Sequence, residues 1–157
     1  MPSDRTILKD QQLGALGTAP EILLPRAAVN AMHEETFLFT TFAAAPYVEQ
    51  GIPILKAARV TSIRLLPATT LAADGVNNIS CVVSKRDGVG GSAVVIGTST
   101  TDVAGLALTQ YIPKVVALST VAGATALAAG NVLTFRVADN GTTTEPLLTV
   151  AITVEYV

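Results

Sequence analysis

The end of the chain constrains it most. From Thr149 to Tyr156, Val150, Ile152, Val154 and Tyr156 point one way, and Thr149, Ala151, Thr153 and Glu155 the other. Period two sustained over eight residues specifies a strand with one buried and one solvated face. The pattern recurs upstream. Arg59 to Leu66 sets Thr61, Ile63 and Leu65 against Val60, Ser62 and Arg64. Asn78 to Ser84 places Ile79, Cys81 and Val83 on one face, and Val132 to Ala138 does the same with Leu133, Phe135 and Val137. Ala93 to Thr100 and Tyr111 to Leu118, the latter delayed by Pro113, complete the set. Threonine on the second face suits a pleated, solvated surface.

The joints between these runs are turn chemistry. Arg86-Asp87-Gly88-Val89-Gly90-Gly91 reads as a hairpin loop, and Thr101 to Gly105 and Asp139-Asn140-Gly141 as turns. Ala122 to Ala129 has room for one helical turn, with Gly130 as its C-cap. Short strands separated by such turns predict a mainly β chain, an antiparallel β-sandwich or jelly roll with an extended N-terminal arm. No repeat of solenoid or propeller period is present.

Residues 1–58 differ from the rest. They hold Pro2, Pro20, Pro25, Pro46 and Pro53, five of the eight prolines, which leaves little room for long helices. Short helices are allowed at Thr6–Leu13 and Ala27–Glu35, and Thr36 to Phe42 is the best strand. An irregular apolar segment of this length buries too little to offset its ordering entropy. We therefore divide the chain into an anchoring arm, 1–58, and a sandwich domain, 59–157. Leu23, Leu24, Phe37, Phe39 and Phe42 are the expected anchors by which the arm packs on another surface.

Composition narrows the chemistry. Charged residues are 14% of 157 and the net charge is −2, too few basic groups for a general phosphate-backbone binder. The single cysteine, Cys81, excludes an internal disulfide and a cysteine-based zinc site, and the single histidine, His33, excludes a multi-histidine metal site. No window reaches the length of apolar chain a spanning helix needs, and the start lacks a signal-peptide pattern, so we expect a soluble protein made in a cytoplasm.

Searches for catalytic patterns return structural readings. His33-Glu34-Glu35 lacks the second histidine of a zincin, since position 37 is Phe37, and reads as the solvated end of a short helix. Cys81 falls on the apolar face of its strand, where a thiol is inert packing. Gly88 to Ser92 is followed by a valine-rich strand and no lysine, unlike a phosphate loop. Asp74, Asp87, Asp102, Asp139, Glu145 and Glu155 fall mainly at turns, where acidic residues serve local hydrogen bonds; a carboxylate enzyme or a calcium loop built from them is the weaker reading. With 4% aromatic residues and no tryptophan, a stacking platform for sugars or single-stranded nucleic acid is poorly supplied. We expect no enzyme activity, no cofactor and no metal.

The cadence of the C-terminal part resembles a known family. Val60 to Pro67, the loop at Leu71 to Gly75, Ser80 to Gly88, Thr98 to Asp102, Ala128-Ala129-Gly130-Asn131-Val132-Leu133-Thr134-Phe135-Arg136-Val137 and Thr149 to Tyr156 look like the small β-sandwich capsid decoration, or cement, proteins of tailed bacteriophages. The resemblance covers about residues 59–157, with Ala129 to Phe135 its strongest piece. It implies a structural virion protein on the capsid surface that binds the major capsid protein and copies of itself, a homotrimer being favoured. It implies no nucleic-acid or membrane partner. The alternative is a receptor- or glycan-binding module of a head fibre or spike, with Tyr111 or Tyr156 at a sugar site.

Overall fold

The computed structural model describes the backbone of residues 6–8 and 22–24, and residues 34–40, 49–88, 91–103, 106–141 and 147–157 in full. All regular structure among them is strand. Eleven strands run in chain order: β1 Thr6–Leu8, β2 Ile22–Leu24, β3 Glu34–Thr40, β4 Gln50–Pro53, β5 Ala58–Pro67, β6 Asn78–Arg86, β7 Val94–Thr100, β8 Lys114–Val115, β9 Ala126–Leu127, β10 Val132–Asn140 and β11 Leu148–Tyr156.

Contacts divide the chain into two compact units, Met1–Glu34 and Glu35–Val157. In the first, β1 and β2 form an antiparallel ribbon, Thr6 opposite Leu24 and Leu8 opposite Ile22. Strand at Thr6–Leu8 replaces the helix allowed there, and the β-branched pair Thr6-Ile7 explains the preference. The second unit is the sandwich. One sheet has the order β4-β10-β6-β7 and the other β3-β11-β5-β8, with β9 also pairing β5. Counting β3 to β8, β10 and β11 as strands one to eight, the sheets read 2-7-4-5 and 1-8-3-6. This is the order of a jelly roll, in which strands pair across the length of the chain.

The mainly β expectation therefore holds, and the sandwich starts earlier than the sequence boundary at 58/59. β3 and β4 lie within residues 1–58, yet each is an edge strand of one of the two sheets. Phe39, Ile54 and Ala58 are buried in the same core as Phe135 and Ile152. Phe39 meets Phe135 of the facing sheet, ring centroids 6.1 Å apart and planes tilted by 42°. Such a tilted aromatic pair joins edge strand β3 of one layer to β10 of the other.

Two of the central strands follow their patterns. β11 buries Leu148, Val150, Ile152 and Val154, and β10 buries Leu133, Phe135 and Val137. β5 departs from strict alternation. Both Val60 and Ile63 are buried, because Val154 pairs with Val60 while Thr153 pairs with Ser62. Thr61 is thus an extra residue, a β-bulge that turns Ala58 and Val60 inward beside Ile63, Leu65 and Pro67. Period-two reading cannot see an inserted residue, so it set Val60 outward.

The run Tyr111 to Leu118 is not one strand. Lys114–Val115 pairs with β5, and Leu118 then bridges to Gly97 of β7, in the other sheet. Val116 N–H donates to Ile63 O at 3.0 Å and Ser119 N–H to Ile96 O at 2.6 Å. The segment therefore crosses from one sheet to the other and closes that side of the sandwich. Gly97 makes the crossing feasible: a Cβ there would lie 3.0 Å from Ile63 Cδ1 and 3.1 Å from Ala117 O. The helical turn expected at Ala122 to Ala129 is instead a turn at 122–125 followed by β9, ended by Gly130 at φ +90°.

We predict that Phe39→Ala lowers unfolding free energy by about 3–5 kcal/mol, as for other buried aromatics. Urea denaturation of the purified protein measures it. A loss below about 1 kcal/mol would mean that β3 is not part of the core.

Candidate binding surface

Two apolar pairs of adjacent residues create an exposed corner on the sheet β3-β11-β5-β8. On a strand, adjacent side chains face opposite ways. Leu65 is buried, so Leu66 is turned outward, and Val116 is buried while Val115 is 68% exposed. Val115 pairs with Arg64 of β5, two residues from Leu66 on the same outward face. Tyr111 N–H donates to Pro67 O at 2.9 Å, which holds the Tyr111-Ile112 turn at the end of β5. Ala68 N–H donates to Leu147 O at 2.8 Å and brings in Leu147. Leu66, Tyr111, Ile112, Val115 and Leu147 are all exposed apolar side chains. Exposed apolar groups gathered in one place mark interaction sites more often than isolated ones do.

Tyr111 adds a further sign. Its φ is +57°, the left-handed region, and it is the non-glycine residue with positive φ among those described. Non-glycine residues there cost on the order of 1 kcal/mol and cluster at functional positions. The residue is 69% exposed, so burial does not compensate the strain.

The sheet β4-β10-β6-β7 is pinned by an ion pair. Arg86 donates to both oxygens of Glu49, Nε to Oε1 at 3.2 Å and an η-nitrogen to Oε2 at 2.9 Å. This fork ties the start of β4 to β6. Glu49 has its pKa lowered, chiefly by the Arg86 hydrogen bond and then by Thr134. Lys85 donates to Gly123 O and Ala126 O, fastening the turn before β9. The basic pair Lys85-Arg86 is thus spent on separate structural duties.

A groove of about 410 Å³ opens where β7 and the crossing segment diverge. Thr98, Ser99 and Thr100 form one wall, and Lys114, Val116 and Leu106 contribute to the other. Lys114 Nζ donates to Leu106 O at 2.6 Å, and burial lowers its pKa. Thr98 and Thr100 face one way along β7 and Ser99 the other, so hydroxyls from one face only, together with the Lys114 ammonium, are available to a hydroxylated or anionic ligand.

Of the expected anchors, Phe39 is buried in the protein's own core and Phe37 packs against that core. They stabilise the sandwich rather than project from it, because β3 is one of its strands. Leu23 and Leu24 lie in β2, opposite Ile7 and Thr6, and their side chains fall outside the described residues, as does Phe42. His33 also lies outside them. Glu34 and Glu35 are exposed residues of β3, not a helix end, and Glu35 accepts a hydrogen bond from Tyr156 Oη. Cys81 is buried, as its pattern implies. The turn carboxylates act locally. Asp74 accepts from Val76 and Asn77 N–H, Asp87 from Gly91 N–H, and Asp102 from Thr100 Oγ1. Among the described residues no three His, Cys, Asp or Glu side chains converge on a metal position.

The corner was missed because Tyr111 to Leu118 reads as one strand. The adjacent pairs Leu65-Leu66 and Val115-Val116 were the available signal, since one member of each must face out.

No family model matches the chain, and no curated protein or solved structure matches it significantly.

Two predictions follow from these geometries. Because the folded-state pKa of Glu49 is depressed, its ion pair contributes stability above the unfolded-state pKa. That contribution is lost as pH falls through the folded-state value. Wild type should therefore exceed Glu49→Gln in urea midpoint at pH 7, and the two should converge in strong acid. A constant difference across that range would contradict the pairing. Separately, Ile112→Ser and Val115→Ser should change unfolding free energy by less than about 0.5 kcal/mol, as for exposed positions; thermal melts test this.

Proposed function

We propose that this is a structural virion protein that binds and stabilises the capsid shell of a tailed phage, as a cement or decoration protein. The observation that carries the proposal is the exposed corner of Leu66, Tyr111, Ile112, Val115 and Leu147 on a sandwich whose own core is filled without them. A protein that reinforces a lattice needs a rigid body and an apolar patch that is covered on binding. The jelly roll supplies the rigid body, and the corner supplies anchors including one aromatic residue. Viral capsid domains are one class that uses this architecture, although fold alone does not assign a function. In this reading the partners are the major capsid protein and further copies of this chain. The site of action is the outer surface of the virion, and no cofactor is required.

Co-sedimentation of the purified protein with empty expanded heads from a panel of tailed phages tests the reading. Binding at a fixed copy number per shell is expected, and it should fall at least about tenfold in affinity, ~1.4 kcal/mol, for Ile112→Asp combined with Val115→Asp. Shell binding that ignores both substitutions would remove the corner from the interface.

The second reading, a receptor- or glycan-binding module, is favoured by the groove of Thr98, Ser99, Thr100 and Lys114. It predicts saturable binding to one class of sugar on a glycan array, abolished by Lys114→Ala, with no association with shells. Of the two tyrosines considered for a sugar site, Tyr111 is well exposed, whereas Tyr156 Oη is engaged by Glu35.

A further inference from the structure

The four edges of the sandwich are not equally protected. An open edge offers unpaired N–H and C=O groups to any passing strand, and proteins blunt such edges with short length, proline, lysine, bulges or covering segments. β4 has four residues and includes Pro53, which has no N–H to offer. β7 is irregular where Val83 and Ser84 pair with Gly97 and Val95, leaving Ile96 extra, and the crossing segment bonds to it at Ile96 and Gly97. The far edge of β5 is met by β8 and β9, each two residues long, with Pro113 directly before β8. β3 has none of these devices in its sequence. It is seven residues, Glu-Glu-Thr-Phe-Leu-Phe-Thr, without proline, glycine or lysine. β11 pairs one side of it, and among the described residues no strand pairs the other. Phe37 and Phe39 hold the strand against the core, so its outer edge is presented on a firm support.

The charges of β3 favour one occupant. Both acidic groups, Glu34 and Glu35, sit at its start, and the rest is uncharged. A second β3 laid parallel in register would set glutamates beside glutamates, which is destabilising. Laid antiparallel about Phe37, it sets Glu34 opposite Thr40, Glu35 opposite Phe39, Thr36 opposite Leu38, and Phe37 opposite its own copy. No like charges then face each other, and the 64% exposed Leu38 gains a neighbour on the outward face. Antiparallel pairing of one edge with itself is also closed by a two-fold axis, so it stops at two copies rather than growing a fibre.

We propose that β3 is the self-association edge of this protein: it pairs antiparallel with β3 of a second copy, Thr36 opposite Leu38, joining two sheets into one across a two-fold axis. This gives a dimer in place of the trimer that the family resemblance implies. It does not depend on what the exposed corner binds.

The experiment uses the full chain in sedimentation velocity from about 1 to 100 μM, the range over which weak dimers respond to mass action. Wild type should pass from monomer to dimer or be dimeric throughout. Thr36→Lys with Leu38→Lys places lysines opposite lysines, and Thr36→Glu with Leu38→Glu places glutamates opposite glutamates. Each should be monomeric at every concentration, with an unchanged far-ultraviolet circular dichroism spectrum. Mixed in equal amounts, the two variants should recover the dimer as a heterodimer, because opposite charges now face across the axis. Single Leu38→Lys serves if a double variant does not fold, and it should weaken dimerisation at least about tenfold. A wild type that is monomeric throughout would overturn the proposal. So would an assembly whose mass ignores these substitutions, or two folded variants that stay monomeric when mixed.

Discussion

Burial of two apolar sheet faces against each other is the interaction on which the molecule depends. Phe39 and Phe135 meet across that interface, and Ile63, Leu65, Val150 and Ile152 face Ile79, Cys81, Val83 and Leu133 in one continuous core. The topology makes this contact collective. Apart from the β6–β7 hairpin and the passage from β8 to β9, every step from β3 to β11 changes sheet. Neither sheet can form fully before the other, since each is built from strands distant in sequence. Such non-local pairing delays the reward for loop closure and slows folding.

With the core saturated, function is left to the outward surfaces. Their characters differ. One sheet carries the pinned Glu49–Arg86 pair, with Thr134 and Ser84 buried and Val94 and Val95 exposed. The other carries the Leu66, Tyr111, Ile112 and Val115 corner at one end and, along its edge, β3, whose outer side no strand pairs among the described residues. A rigid body with an exposed apolar corner is suited to joining things together. That is the physical content of the proposed cement role, and it would equally serve a module that presents a groove to a receptor.

The sequence made some of this legible and hid the rest for identifiable reasons. The apolar residues of β10 and β11 alternate along each strand and fill one buried face, so their patterns read directly. Phe37 and Phe39 were recognised as one face of a strand, but the proline-rich context suggested an arm. A strand whose partner, β11, lies more than a hundred residues away gives no local sign of that partner, and so the domain boundary was set too late. The bulge at Thr61 and the crossing at Lys114 to Leu118 are insertions and bends, which a period-two template cannot register. The exposed corner was lost with the second of these. It was recoverable from the doublets Leu65-Leu66 and Val115-Val116, because both members of such a pair cannot enter one core.

Native-state hydrogen exchange tests most directly that one cooperative jelly roll begins at β3. Exchange is followed on the Thr36→Lys, Leu38→Lys double variant, so that pairing between copies does not add protection. The β3 amides bonded to β11 should exchange with the same opening free energy as the amides that join β11 to β5, within about 1 kcal/mol, because they belong to one unit. Exchange from β3 several orders of magnitude faster, with β5, β10 and β11 still protected, would contradict it. The first strand would then be an arm lying on a sandwich complete without it.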